Sequence, residues 1–241
     1  DERLTLLENA GLDNVVLHPF TEALARMTPW EYAKSLLGDC IQPVAVVIGD
    51  DHRFGRNRAG DFSTLKTLGE ALNFEVEALG AHQVENIRVS STKVREALRQ
   101  GNVEEAHKWL GLPYPTSGLV VHGNAVGREL GYPTANLQVE EPLKLLPAQG
   151  VYAVMCQTPD GSWQPAMANV GTRPTLHDDD RPSLEVHVIG AEGDWYGAQL
   201  HIQWMHWMRG EVKFASQREL QEALAEDQKR ALALLAKHVT P

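Results

Sequence analysis

Residues 127–136 read GRELGYPTAN and follow an apolar, strand-like run at residues 118–123, GLVVHG. Gly127 and Gly131 lack a side chain, so backbone N–H groups in this loop can approach an anion closely. Arg128 lies between them and carries a positive charge. The loop is not a Walker A motif, because no Gly-Lys-Ser/Thr sequence is present.

Pro133 stiffens the chain just before two short side chains that carry oxygen, Thr134 and Asn136. A strand, a flexible loop and rigid oxygen ligands in this order suit a nucleotide phosphate with Mg²⁺, a hard cation. A tight turn on a barrel is an equally good reading of the spacing alone.

The rest of the second half favours an all-β domain. Short runs of β type recur and are separated by turn signals, at residues 118–123, 150–157, 163–169, 183–189 and 200–208. The last run alternates, which places Leu200, Ile202 and Trp204 on one face. Ser216, followed by Glu219, predicts the cap of a closing helix. This pattern is typical of an antiparallel barrel or sandwich.

The first half has an α/β pattern. Residues 44–49, VAVVIG, predict a strand buried on both faces of a parallel sheet. A helix over residues 61–72 separates it from a second strand at residues 74–79.

Two further helices follow. The first begins near Ser90 and ends at Gly101, and the second runs from Asn102 to Gly111 with Glu105 completing a capping box. The Pro-Tyr-Pro break at residues 113–115 marks the boundary between domains 1–113 and 114–241.

Composition limits the partners. Residues 1–113 hold 12 Lys and Arg against 17 Asp and Glu, and residues 114–241 hold 10 against 15. Neither half offers the basic field that non-specific nucleic-acid binding needs. No apolar run reaches membrane-spanning length. Cys40 and Cys156 lie far apart, which argues against a disulfide framework and indicates a reducing cytoplasm. We expect no nucleic-acid, membrane or obligate protein partner.

Three other features of the second half are candidates for chemistry. Glu185 alternates with Leu184 and Val186 on a predicted strand, so its side chain points to the opposite face. If that face lines a cleft, Glu185 is a rigidly held general base; if it does not, Glu185 is a solvated surface residue. Residues 169–175, NVGTRPT, predict a tight bend that either binds a ligand or is only structural. Arg209 could bind a phosphate or stack on a planar ring. The alternative is that it belongs to a surface charge cluster.

The first half has two candidate anion sites. Residues 49–58, GDDHRFGRNR, follow the predicted strand, where α/β folds bind ligands. Residues 90–95, SSTKVR, place hydroxyls and an arginine at a helix N-terminus, although a plain serine cap is equally compatible. His201 and His206 have odd spacing on a strand and face opposite sides, so a histidine metal site is not expected. The Asp178–Asp180 run is read as a solvated loop.

Together these segments resemble the bacterial bifunctional riboflavin kinase/FAD synthetase family. In the second half the similarity covers residues 118–136, 150–154, 169–175, 184–187, 194–197 and 209–214 and the closing helix. In the first half it covers residues 47–58, with His52 in place of the usual Phe, and residues 90–95. The resemblance implies an incomplete Rossmann-like nucleotidyltransferase domain followed by an antiparallel Greek-key β-barrel kinase domain with a C-terminal helix.

The resemblance also implies transfer of the ATP γ-phosphoryl to the 5′-hydroxyl of riboflavin, giving FMN, with Mg²⁺ accompanying ATP. Glu185 would be the catalytic base, Arg209 would bind flavin, and Thr134 and Asn136 would hold the metal. The residues implied for ATP are Gly127, Arg128, Gly131, Thr134, Asn136, Asn169 and Tyr196. The residues implied for the adenylyltransferase are Asp50, Asp51, Arg53, Ser90, Ser91, Thr92 and Arg95.

One family motif is missing from the printed sequence. The adenylyltransferase domain of the family opens with a strand and a loop of Gly-x-Phe-Asp-x-x-His-x-Gly-His type, whose histidines hold the ATP phosphates. We therefore expect the chain as printed to make FMN but not FAD. A non-catalytic flavin- or nucleotide-binding module and a phosphate-binding structural barrel remain open as alternatives.

Overall fold

The computed structural model describes residues 2–80, 83–85, 87–123, 127, 130–172, 182–191 and 193–238. The chain forms two compact units. The first, here called the N-terminal unit, is Leu6–Val89, and the second, the barrel unit, is Asp1–Thr5 with Ser90–Pro241. No helix in the described part of the chain is both long and apolar enough to cross a membrane.

The chain begins with helical segments. These are α1 (Glu2–Asn9), α2 (Glu22–Arg26), α3 (Pro29–Tyr32) and a π-helix (Ala33–Ile41). Two parallel strands follow, β1 (Ala45–Gly49) and β2 (Glu75–Leu79), joined through α4 (Phe62–Leu72). A short antiparallel pair, β3 (Gln83–Val84) and β4 (Ile87–Arg88), ends the unit. The predicted strand, helix and strand are confirmed.

The prediction that the first strand is buried on both faces is wrong. Val46 and Ile48 pack against the core of the N-terminal unit, whereas Val47, which points the other way, is 53% exposed. The reason is that β1 and β2 form a two-stranded sheet and α4 packs against β2 on the core side. One face of the apolar strand is therefore packed against the core, whereas the other face, which carries Val47, is exposed.

Two helices open the main part of the barrel unit, α5 (Ser91–Arg99) and α6 (Val103–Leu110). Both were predicted, and Ser90 caps α5 by accepting a hydrogen bond from the Lys93 N–H. The capping box at Asn102 does not form, because the Asn102 amide contacts the Gln100 side chain instead.

Six antiparallel strands close into a barrel. They are β5 (Tyr114–Val121), β6 (Ala135–Gln138), β7 (Gly150–Gln157), β8 (Trp163–Thr172), β9 (Pro182–Val188) and β10 (Gln199–Arg209). Their order around the barrel is β10-β5-β6-β9-β8-β7. Strands β7, β8 and β9 form a meander and β6 lies beside β9, which is the Greek-key arrangement. The Pro-Tyr-Pro segment is not a break, because Tyr114 and Pro115 begin β5 and pair with β10.

Alternation along the strands produces two apolar layers. The barrel interior contains Leu184, Val186 and Trp204, and it shares one hydrophobic cluster with α5 and α6. The indole of Trp204 donates a hydrogen bond of 2.9 Å to the Thr116 hydroxyl. A second cluster lies outside the wall, where α7 (Gln217–Leu235) packs on Met155, Met167, Met208 and neighbouring residues.

The helices α5 and α6 therefore belong to the barrel unit by their contacts, although they precede residue 113. The division into two functional domains, 1–113 and 114–241, therefore stays a prediction.

Candidate functional site

A cleft of about 320 Å³ lies on the outer wall of the barrel, at the lower end of the range of roughly 300–1,000 Å³ usual for small-molecule sites. Its walls come from the barrel strands, the loop before β6, the segment after β10, and α7. The lining residues are Gly127, Leu130, Tyr132, Thr134, Val151, Met167, Ala168, Asn169, Glu185, His187, Arg209, Glu211, Val212, Phe214, Leu220, Leu224 and Asp227.

Strand register explains why distant residues meet here. Asn136 pairs with Glu185, Glu185 with Asn169, Asn169 with Val151, and Val151 with Arg209. Residues directly opposite each other on antiparallel strands place their side chains on the same face. These five residues therefore form one row across five strands of the wall.

Glu185 lies in the middle of this row. Leu184 and Val186 are each 1% exposed in the barrel interior, so Glu185 points outwards, as the alternation predicted. The outer face is covered here by α7 and the loop before β6, and for this reason Glu185 lines the cleft. The Thr134 hydroxyl donates a hydrogen bond of 3.3 Å to the Glu185 carboxylate.

The glycines of the loop before β6 are required by the fold of the loop itself. The Gly127 carbonyl accepts hydrogen bonds from the N–H groups of Leu130 and Tyr132, at 3.2 and 2.8 Å. A Cβ on Gly127 would lie 2.3 Å from the Tyr132 carbonyl oxygen, and Gly131 has a φ of +84°. A side chain at Gly127 would therefore clash with the backbone, and Gly131 has a backbone conformation that glycine adopts most readily. Arg128 lies outside the described residues.

Arg209 is held by a buried carboxylate on α7. Its Nε lies 3.1 and 3.0 Å from the two carboxylate oxygens of Asp227, and its Nη2 lies 2.6 Å from one of them. The guanidinium carbon is 5.8 Å from the centre of the Phe214 ring. Asp227 neutralises the charge of Arg209, so a planar, paired guanidinium faces the cleft.

Comparison with known proteins identifies the family. A family model described as riboflavin kinase matches residues 110–235, and one described as FAD synthetase matches residues 1–93. A bifunctional riboflavin kinase/FMN adenylyltransferase from Pseudomonas fluorescens is 37% identical over 94% of this chain and 72% of the relative. This chain belongs to that family. The resemblance inferred from the sequence is confirmed, and the chain is a transferase of the riboflavin kinase type.

Another relative carries the same description, and a solved structure with a different description shares the fold. The Escherichia coli K12 bifunctional riboflavin kinase/FMN adenylyltransferase is 36% identical over 94% of this chain and 72% of the relative. A crystal structure described as a macrolide-efflux protein from Streptococcus pneumoniae has a TM-score of 0.85 and 33% identity over 95% of this chain and 72% of that chain.

Two of the residues predicted to bind ATP make other contacts in the structure. Asn136 is 5% exposed and packs against Gly123, where a Cβ would lie 2.0 Å from the Asn136 amide nitrogen. Tyr196 stacks on His122 with ring centres 3.9 Å apart. Neither is among the described residues that line the cleft, and their roles stay predictions.

The prediction of a tight bend at residues 169–175 is wrong for residues 169–172, which belong to β8. Asn169 and Gly171 continue β8 and pair with β9, and the Ser183 hydroxyl donates a hydrogen bond to the Gly171 carbonyl. The hydrogen-bonded ladder thus overrides the turn propensity of Asn and Gly. Residues 173–181, including Asp178–Asp180, lie outside the described residues.

Besides Asp227, sequence reasoning missed two polar residues of the cleft, Glu211 and His187. Glu211 accepts a hydrogen bond of 3.4 Å from the Asn169 side chain. The Nδ1 atom of His187 lies 2.8 Å from the Pro133 carbonyl oxygen. The alternation that singled out Glu185 places His187 on the same face, whereas no local pattern indicates the position of Glu211.

The residues predicted for the adenylyltransferase make ordinary structural contacts. Within the N-terminal unit, Arg88 contacts Asp50 and Asp51 at 3.1 and 3.7 Å, and Arg53 contacts Asp61 at 2.8 Å. In the barrel unit, Ser90 caps α5, and the first two turns of that helix contain Ser91, Thr92 and Arg95. Their roles in nucleotide binding stay predictions.

Proposed function

We propose that the cleft on the barrel wall is the site at which the γ-phosphoryl of ATP passes to the 5′-hydroxyl of riboflavin. The observation that carries this proposal is the position of Glu185, which is fixed on β9 and hydrogen-bonded to Thr134 in a cleft with otherwise largely apolar walls. A carboxylate on a rigid strand is suited to orient a hydroxyl group and accept its proton.

The distribution of polar and apolar side chains supports one orientation of riboflavin. Thr134, Asn169, Glu185 and Glu211 lie together, because Thr134 contacts Glu185, Asn169 contacts Glu211, and Asn169 pairs with Glu185 in the ladder. The walls from α7 and the segment after β10 offer Leu220, Leu224, Val212 and Phe214. We place the flavin ring against the apolar walls and the ribityl chain towards Glu185.

The reaction makes modest demands on the base. The 5′-hydroxyl oxygen forms a bond to the γ-phosphorus, the bond from that phosphorus to the β-γ bridging oxygen breaks, and ADP leaves. The hydroxyl proton passes to the Glu185 carboxylate. Because phosphoryl transfer proceeds through a loose transition state, positioning matters more than base strength. An ordinary carboxylate therefore suffices.

The donor atoms near Glu185 fit Mg²⁺. Thr134 and Glu185 present a hydroxyl and a carboxylate oxygen within hydrogen-bond distance of each other, and Mg²⁺ prefers oxygen ligands. Bound with ATP, Mg²⁺ keeps phosphate and water among its ligands and needs only one or two protein groups. Its contribution would be to neutralise charge on the phosphates. We assign Thr134 as a ligand, and Asn136 would need to turn out of its buried position to join it.

The remaining assignments follow from position. The loop that contains Gly127 and Gly131 borders the cleft beside Thr134 and would hold the phosphates. Arg209 and Phe214 together offer a flat surface for the flavin ring, since the charge of Arg209 is already paired. Residence in the reducing cytoplasm remains part of the proposal and is supported by the two unpaired cysteines, Cys40 and Cys156.

The direct test is to incubate the protein with riboflavin and Mg-ATP and to separate the flavins by chromatography. We expect FMN to accumulate in proportion to enzyme and time. Binding of riboflavin without FMN formation would instead support the alternative of a non-catalytic flavin-binding module.

A further inference from the structure

His187 connects β9 to the loop that carries Thr134. The pairing of β6 with β9 begins at Ala135, opposite Val186, so Pro133 and Thr134 precede the ladder. The Pro133 carbonyl oxygen lies 2.8 Å from Nδ1 of His187. Because a carbonyl oxygen only accepts hydrogen bonds, Nδ1 must carry the proton and donate it. The side chain thus extends the link between the two strands beyond the last backbone pair.

The imidazole of His187 is fixed by packing as well. His187 is 9% exposed, and its ring meets the Tyr132 ring in an edge-on contact with centres 5.3 Å apart. Tyr132 is in turn held by the hydrogen bond from its N–H to the Gly127 carbonyl. A buried ring with few alternative orientations makes the hydrogen bond to Pro133 a rigid one.

Two outward-facing residues of β9 therefore hold two consecutive residues of the loop. Glu185 accepts the hydrogen bond from Thr134, and His187 donates to Pro133. We infer that His187 is a positioning residue for phosphoryl transfer, which fixes the Pro133 carbonyl so that the Thr134 hydroxyl faces Glu185. This inference rests on the proposed function of the cleft. His187 acts through Thr134 and is not assigned any contact with the reacting atoms.

The test compares three substitutions at position 187. His187→Phe keeps a ring against Tyr132 but removes the donor. His187→Asn places an amide N–H near the position of Nδ1, whereas His187→Gln carries its amide one methylene farther out. His201→Phe is the matched control, because His201 also lies on a barrel strand and contacts a side chain, the Ser117 hydroxyl, but does not line the cleft.

We expect His187→Phe to lower kcat by about 10- to 100-fold and to raise the KM for Mg-ATP, since small displacements of positioning groups have effects of this size. The dissociation constant for riboflavin, measured by fluorescence quenching, should change by less than about two-fold, because only the Thr134 side of the cleft is altered. His187→Asn should recover activity to within about three-fold of the wild type, His187→Gln should not, and His201→Phe should match the wild type.

A second measurement separates positioning from general destabilisation. In a Thr134→Val background, His187→Phe should cause less than about a two-fold further loss of kcat, because the group it positions is already gone. Multiplicative losses would overturn the inference, as would equal activities of the Asn and Gln variants. The comparison of Asn with Gln decides the question even if His187→Phe fails to fold. Absence of FMN from the wild-type protein would refute the proposed function itself.

Discussion

The ion pair between Arg209 and Asp227 joins the end of the last barrel strand to the C-terminal helix, and Asp227→Leu breaks it. Side-chain exposure is 25% for Arg209 and 8% for Asp227. Removing one partner of a buried ion pair costs about 3–5 kcal/mol. The guanidinium here keeps its hydrogen bond to the Gly210 carbonyl and its contact with Phe214, and a quarter of it reaches water. We therefore expect a loss of about 2–3 kcal/mol.

The assay is urea unfolding followed by tryptophan fluorescence. Five of the six tryptophans lie in the barrel unit, so the signal reports mainly on that unit. With a slope of about 2 kcal/mol per molar urea, the transition midpoint should fall by about 1–1.5 M. Because α7 lines the cleft, riboflavin binding should weaken in the same variant.

The double variant Arg209→Met/Asp227→Leu is the control for Asp227→Leu. Replacing both partners with apolar side chains leaves no unpaired charge, so the double variant should be more stable than Asp227→Leu alone. A loss of stability below about 1 kcal/mol for Asp227→Leu would contradict this prediction. A double variant whose loss equals the sum of the losses of Asp227→Leu and Arg209→Met, each measured alone, would contradict it as well.

Two further predictions concern close packing and burial. Gly123→Ala should displace the Asn136 side chain and raise the KM for Mg-ATP by about 10-fold, because a Cβ would lie 2.0 Å from the Asn136 amide nitrogen. Gly80→Ala is its control, because a Cβ there meets no atom within 4 Å among the described residues, and equal kinetics for the two variants would contradict the packing argument. Cys40 is exposed, whereas burial raises the pKa of the Cys156 thiol to about 12. A thiolate-specific disulfide reagent should thus titrate one thiol in the native protein and two in urea, and two fast-reacting native thiols would contradict this.

Features set by local periodicity could be predicted from the sequence. The alternation correctly placed Leu200, Ile202 and Trp204 on one face, which is the barrel interior, where each is at most 1% exposed. The helix caps at Ser90 and Ser216 were also correct, because a cap depends on residues within one turn.

Features that depend on strand register and on neighbouring elements could not be predicted from the sequence. The strand β6 has four residues, too few for a periodic signal, yet it brings Thr134 and Asn136 beside Glu185. The partner of Arg209 is Asp227, on a helix eighteen residues farther along, and nothing in the sequence around either residue indicates the contact. The outer face of the barrel becomes a cleft only because α7 covers it, so the role of the Glu185 face could not be decided from alternation.

The most direct test of the account compares the two carboxylates that line the cleft. Glu185→Gln and Glu211→Gln both remove one negative charge with little change in shape. We expect Glu185→Gln to lower kcat for FMN formation by about 10²–10⁴-fold, the usual contribution of a general base, while riboflavin still binds. Glu211→Gln should stay within about five-fold of the wild type. Near-normal turnover by Glu185→Gln, or equal losses in the two variants, would contradict the assignment of Glu185 as the base.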